Sequence, residues 1–187
     1  RIGLPASTDI DQIVIFPDFN ARTQDNIIYF DSITFSAGVA GDPVALPVNF
    51  ENTNANYNLL GFEGADSAIE TNPDQSGINT SSTVVRTIKT AGSVFYAGTA
   101  LSLNVPIDFT ASESIAIKTW SPKANIPVRL KIENIDGSQF AELDVNTTVE
   151  NQWEELVWDF SGSTTGIDFT KVVVFFEFIA ELDGDEM

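Results

Sequence analysis

The sequence predicts an all-β fold, a two-sheet antiparallel β-sandwich, on three observations. Short segments rich in Val, Ile, Thr and aromatic residues recur along the 187 residues, separated by Gly, Asn, Asp, Ser and Pro. Within several of them apolar and polar residues alternate with the two-residue period of a strand. No segment holds an amphipathic helical stripe for three turns.

About eleven strands follow in order: Gln12–Phe16, Ile27–Phe35, Leu46–Glu51, Tyr57–Phe62, Thr83–Lys89, Ala100–Phe109, Ser114–Ser121, Pro127–Glu133, Phe140–Val145, Trp153–Phe160 and Lys171–Phe178. The acidic stretch 63–79 between the fourth and fifth reads as a loop. In Ser114–Ser121 the alternation sends Ile115 and Ile117 one way and Ala116, Lys118 and Trp120 the other. In Pro127–Glu133 it turns Val128, Leu130 and Ile132 inward and leaves Arg129, Lys131 and Glu133 outside. In Trp153–Phe160 the set Leu156, Trp158 and Phe160 reads as core, with Trp153 at the opposite parity. Lys171–Phe178 is almost continuously apolar, the pattern of a central strand covered on both faces.

An internal echo bears on domain organisation. Ile13-Val14-Ile15-Phe16-Pro17-Asp18-Phe19 parallels Val172-Val173-Val174-Phe175-Phe176-Glu177-Phe178, and Thr8-Asp9-Ile10-Asp11 parallels Thr165-Gly166-Ile167-Asp168. After the first copy comes the strand Tyr29-Phe30-Asp31-Ser32-Ile33-Thr34-Phe35. The second copy reaches Asp183-Gly184-Asp185-Glu186-Met187 at the same distance. Residues 1–37 therefore read as the tail strands of a preceding repeat, 38–45 as a linker, and 46–187 as a sandwich lacking its closing strand. An open sheet edge beside Leu46–Glu51 would then accept Ile27–Phe35, from the same chain or a neighbouring one.

Composition removes several function classes. With no Cys and no His, no disulfide, Cys/His metal site or His-dependent nucleophilic catalysis exists. A formal charge of −18, from nine basic and 27 acidic residues, disfavours nucleic acid and anionic membrane surfaces. The same charge suits a protein outside the cell and favours hard cations such as calcium. No run of about 18 apolar residues is present, so no membrane-spanning helix is expected. Glu154 and Glu155 are adjacent and point to opposite faces, which spoils them as a hydrolytic pair; no other acid/base pair stands out, and no enzyme activity is expected.

Four runs in order carry a resemblance: Leu46-Pro47-Val48-Asn49-Phe50-Glu51, the loop from Asn72 to Ser82, Lys118-Thr119-Trp120-Ser121-Pro122-Lys123, and Trp153-Glu154-Glu155-Leu156-Val157-Trp158-Asp159-Phe160-Ser161. The chain resembles the jelly-roll carbohydrate-binding-like modules, often in tandem, of secreted and surface glycan-binding proteins of Bacteroidetes-type bacteria. The resemblance covers roughly residues 45–187. It implies a jelly roll, a secreted or cell-surface location and a polysaccharide partner. It also implies a structural calcium held by one carboxylate of the opening strand and one of the closing strand. Glu51 matches the first by position and Asp31 the second, the latter for the preceding copy.

Sugar binding uses aromatic faces against the apolar face of a pyranose, framed by polar groups that hydrogen-bond hydroxyls. Trp120 is the leading platform candidate, with Lys118 on the same strand face and Arg129 and Lys131 expected nearby. Tyr96, beside Phe95 at a loop-to-strand junction, is the second. Six of the nine basic residues (Arg86, Lys89, Lys118, Lys123, Arg129, Lys131) fall within one stretch and suggest a relatively positive face. Asp183-Gly184-Asp185-Glu186 and Asp9-Ile10-Asp11 offer oxygen ligands to calcium without the spacing of a calcium loop, and Asp66, Glu70 and Asp74 are further candidates. The reading is a non-catalytic carbohydrate-binding module. The alternative is a structural or assembly repeat of a large extracellular protein, an adhesin or filament, whose partners are neighbouring repeats or subunits and which strand exchange would complete.

Overall fold

A computed structural model describes residues 41–179. The chain divides into two units, Arg1–Val39 and Ala40–Met187, and the description concerns the second. The expected strands Gln12–Phe16 and Ile27–Phe35, the first copy of the echo, Asp31 and the acidic run from Asp183 lie outside the described residues.

Nine strands form among the described residues: β1 (Leu60–Phe62), β2 (Ala65–Thr71), β3 (Thr83–Lys89), β4 (Gly98–Ser102), β5 (Ser114–Ser121), β6 (Pro127–Glu133), β7 (Phe140–Asn146), β8 (Gln152–Asp159) and β9 (Lys171–Phe175). Five make one antiparallel sheet in the order β1-β4-β9-β6-β7. Two ladders, β2-β3 and β5-β8, make the opposite layer. The fold is an all-β sandwich, as the alternation predicts.

Side-chain parity builds the core between the layers. Val128, Leu130 and Ile132 of β6 are fully buried and face Ile115 of β5 and Leu156 and Trp158 of β8. The Trp158 indole N–H donates across the core to the Val128 carbonyl at 3.2 Å, so its one polar atom is satisfied. The β2-β3 ladder covers the other end of the large sheet through hydroxyls. Ser67 and Thr87 each hydrogen-bond Thr99 of β4, at 2.5 and 3.2 Å, and one another at 3.1 Å. Central placement of β9 between β4 and β6 explains its continuous apolar run: Val172, Val173 and Phe175 are all buried.

Four expectations need correction. Leu46–Glu51 forms no strand, because Phe50 sits in the left-handed region at φ 59°. Its alternation still buries side chains, since Val48 and Phe50 pack on the core. The stretch 63–79 is not one loop: Ala65–Thr71 pairs with all of β3, from Ala65↔Lys89 to Thr71↔Thr83. The strand expected at Ala100–Phe109 starts at Gly98 and ends at Ser102. Beyond it the Leu103 and Ile107 amides still donate to the Thr170 and Phe169 carbonyls, at 2.7 and 2.9 Å. The last strand stops at Phe175, two residues before Glu177 turns left-handed at φ 49°.

Candidate functional site

The outward parity of the five-stranded sheet gathers a groove. Leu60 and Phe62 of β1, Ala100 and Ser102 of β4, Lys171, Val173 and Phe175 of β9, and Lys131 and Glu133 of β6 line it, with Asn58 and Tyr96 from the adjoining loops; its volume is about 490 Å³. Val173 and Phe175 form the floor. Gly98 on β4 makes room for Phe175: a Cβ there would lie 2.7 Å from the Phe175 ring.

Aromatic edges continue along one side. Phe62 meets Phe175 at 5.9 Å between centroids, Phe175 meets Phe178 at 5.6 Å, Phe178 meets Phe95 at 5.1 Å, and Phe95 meets Tyr96 at 5.2 Å. All four contacts are edge-on, the arrangement that ring quadrupoles favour. Tyr96 is left 43% exposed at the end of the series. The buried Lys89 ammonium fixes the backbone behind it, donating to the Phe95, Phe176 and Glu177 carbonyls at 2.7, 3.0 and 3.0 Å. Burial pushes the Lys89 pKa down, with the nearby Glu177 carboxylate opposing.

Charges on this face occur in matched sets. Glu133 bridges Lys131 at 2.7 Å and Lys171 at 2.8 Å. Arg129 takes both oxygens of Asp144, at 2.6 and 2.8 Å, reaches Glu142 at 2.8 Å, and lays its guanidinium 3.9 Å over the Phe178 ring. Lys131 also lies 4.3 Å over the Phe140 ring. Burial alone would raise the Glu133 carboxyl pKa, but the two ammonium groups outweigh it and hold the group below the usual range. The hydrogen bonds that Arg129 donates to Asp144 raise its pKa most, against a smaller burial penalty, and the charges of Asp144 and Glu142 add to the rise.

Three residues singled out from sequence, Tyr96, Lys131 and Arg129, thus belong to one face. Trp120 and Lys118 do not join them. Both lie on β5, on the outward side of the other layer, with Trp153 and Glu155 directly opposite on β8. The expected neighbourhood of Trp120 with Arg129 and Lys131 fails because both strands turn these residues away from the shared core. The single positive face also dissolves: Arg86 pairs with Glu70 across β2-β3 at 2.8 Å, Lys89 is buried, and Lys123 binds Glu177 at 3.2 Å. Sequence reading missed Phe62, Glu133, Lys171, Val173 and Phe175 as groove residues. A signal existed in the second parity of 171–175, where Lys171, Val173 and Phe175 share a face, but a doubly covered strand hides which face carries a site.

For calcium, Glu51 is already engaged. Its Oε1 accepts from the Thr83 amide at 2.8 Å and from the Thr83 hydroxyl at 3.1 Å, and the amide bond keeps its pKa low. Asp31 lies outside the described residues. Among the described residues no three acidic side chains converge in a way that fits a metal ion.

No known family profile and no curated protein matches the chain. Among solved structures, one that matches is the family 11 carbohydrate-binding module of cellulosomal cellulase Lic26A-Cel5E of Clostridium thermocellum, at 18% identity and a TM-score of 0.48, over 73% of this chain and 85% of that one.

Proposed function

We propose that this module binds a neutral polysaccharide, without catalysis, in the groove on the outer face of the five-stranded sheet. The observation that carries the reading is the composition of that groove: an apolar and aromatic floor ending at exposed Tyr96, bordered by alternating charges that cancel. A pyranose presents axial C–H groups to an aromatic face and equatorial hydroxyls to its sides, which is what Tyr96 and the Lys131–Glu133–Lys171 row accept. Three cations (Arg129, Lys131, Lys171) face three carboxylates (Glu133, Glu142, Asp144), so the groove offers donors and acceptors with no net pull on an anionic glycan.

The same pairing argues against hydrolysis. A general acid for glycoside cleavage needs a carboxyl whose pKa is raised, whereas Glu133 is held ionised between two lysines. Titration calorimetry with soluble neutral β-glucans against a uronic-acid polymer tests the reading. Saturable binding of the neutral chain, weakened about tenfold by Tyr96→Ala as expected for losing one stacking contact, supports it. Preference for the uronic-acid polymer contradicts it. Absence of glycan binding by the folded protein turns attention to the assembly reading, for which the apolar β6-β7 hairpin, with Ile135 84% and Phe140 53% exposed, is the place to look.

A further inference from the structure

The outward face of the β5-β8 ladder holds a second aromatic arrangement that the groove does not use. Register places Trp120 opposite Trp153, Lys118 opposite Glu155, and Ala116 opposite Val157. Directly opposed residues of an antiparallel pair have Cβ atoms about 5 Å apart, so both tryptophans stand on the same outward face of the ladder. Trp153 is fixed: its indole N–H donates to the Asp74 carbonyl at 2.7 Å, and the ring is half-buried. Trp120 beside it keeps 40% of its surface exposed, although the third tryptophan, Trp158, is fully buried in the core.

The polar neighbours differ from those elsewhere. Every other described lysine or arginine is committed, Arg86, Lys123, Arg129, Lys131 and Lys171 to carboxylates and Lys89 to three carbonyls. Lys118 and Glu155 make neither an ion pair nor a side-chain hydrogen bond among the described residues, not even with each other. An exposed indole on a strand, flanked by one open donor and one open acceptor, is what a sugar ring requires: a flat apolar seat with hydroxyl partners at its rim. Glu155 and the overall charge of −18 disfavour an anionic sugar there.

We infer that Trp120, with Trp153, Lys118 and Glu155, forms a second binding site for a neutral pyranose, on the face of the sandwich opposite the groove. The two sites are separated by the core, since β6 and β5 each turn their inward residues to the same cluster. The module then holds two polysaccharide segments at once, and long polymers gain avidity that short ones lack. This inference shares with the proposed function the class of ligand, but stands on different residues.

The tryptophans separate the sites by experiment, because the groove lining contains none. Intrinsic tryptophan emission and calorimetric stoichiometry are followed together as a neutral β-glucan hexasaccharide is titrated into the full chain, its Tyr96→Ala, Trp120→Ala and Trp120→Phe variants. Two sites per chain, with an emission change that persists in Tyr96→Ala, are expected. Trp120→Ala should lose the emission change and weaken that site about tenfold, the scale of one stacking contact, while Trp120→Phe retains most of the affinity. One site per chain with no emission change, intact in Trp120→Ala and lost in Tyr96→Ala, overturns the second site and leaves the groove standing. An emission change and single site lost in Trp120→Ala but indifferent to Tyr96→Ala overturns the groove and leaves this site. Silence in both signals overturns both.

Discussion

Lys89 shows how one residue fixes the ends of three elements. It closes β3, and its ammonium satisfies carbonyls of the segment before β4 and the segment after β9. Replacing it by Met would leave those carbonyls without their donor, at a cost of about 3 kcal/mol; urea unfolding of Lys89→Met against the parent chain measures it. A loss within 0.5 kcal/mol, the scatter of ordinary surface changes, would show that the cluster is not a staple. Glu133 sets a pH dependence. Its folded pKa lies below the unfolded value of about 4.3, so its stabilisation is fully present above that value and is lost as pH falls through the folded pKa. Melting temperature should therefore drop on acidification below about pH 4.3, and less steeply in Glu133→Gln. Equal slopes in the two proteins would remove the ion row from the account. Neither feature was legible beforehand: a buried lysine and a carboxylate between two lysines depend on cross-strand register, which a single sequence leaves open.

At the scale of elements, alternation located the strands whose faces differ and failed where they do not. Ser114–Ser121 and Pro127–Glu133 match their expected bounds because one parity is core and the other is solvated. Ala65–Thr71 escaped because Ala, Ser, Asp and Glu carry little apolar contrast; its pairing with β3 and its hydroxyl contacts to Thr99 make it a strand. Leu46–Glu51 had the contrast but not the backbone. For the site, the exposed aromatic Tyr96 and the outward cations Arg129 and Lys131 were readable, whereas the floor was not, since Val173 and Phe175 resemble core residues in sequence and in burial. The close approach of β4 to Phe175 yields a prediction at this scale. Gly98→Ala would press on the Phe175 ring and on the Val174 carbonyl, 2.9 Å from the added Cβ. Overpacking of this kind costs about 1–3 kcal/mol. Calorimetry should also show weakened glycan binding, while an unchanged melting temperature and affinity would mean the floor can yield.

On the scale of the whole molecule, a chain with a formal charge of −18 keeps one charge-balanced groove and, on its opposite face, an exposed tryptophan with an open lysine and glutamate. The overall charge disfavours polyanions, and the charges bordering the groove cancel locally. No helix among the described residues is long and apolar enough to cross a membrane. The sandwich was legible because alternation and turn residues act locally. The division of the candidate residues between two opposite faces was not, because it is set by which strands share a sheet. The central claim is that the outer face of the five-stranded sheet binds neutral polysaccharide. The measurement that tests it most directly is calorimetric titration of a soluble neutral β-glucan into the chain and its Tyr96→Ala variant, with melting temperatures taken alongside. The account predicts saturable binding that weakens about tenfold in the variant with the melting temperature unchanged. Binding that is untouched by Tyr96→Ala, or no binding by the folded chain, would contradict it.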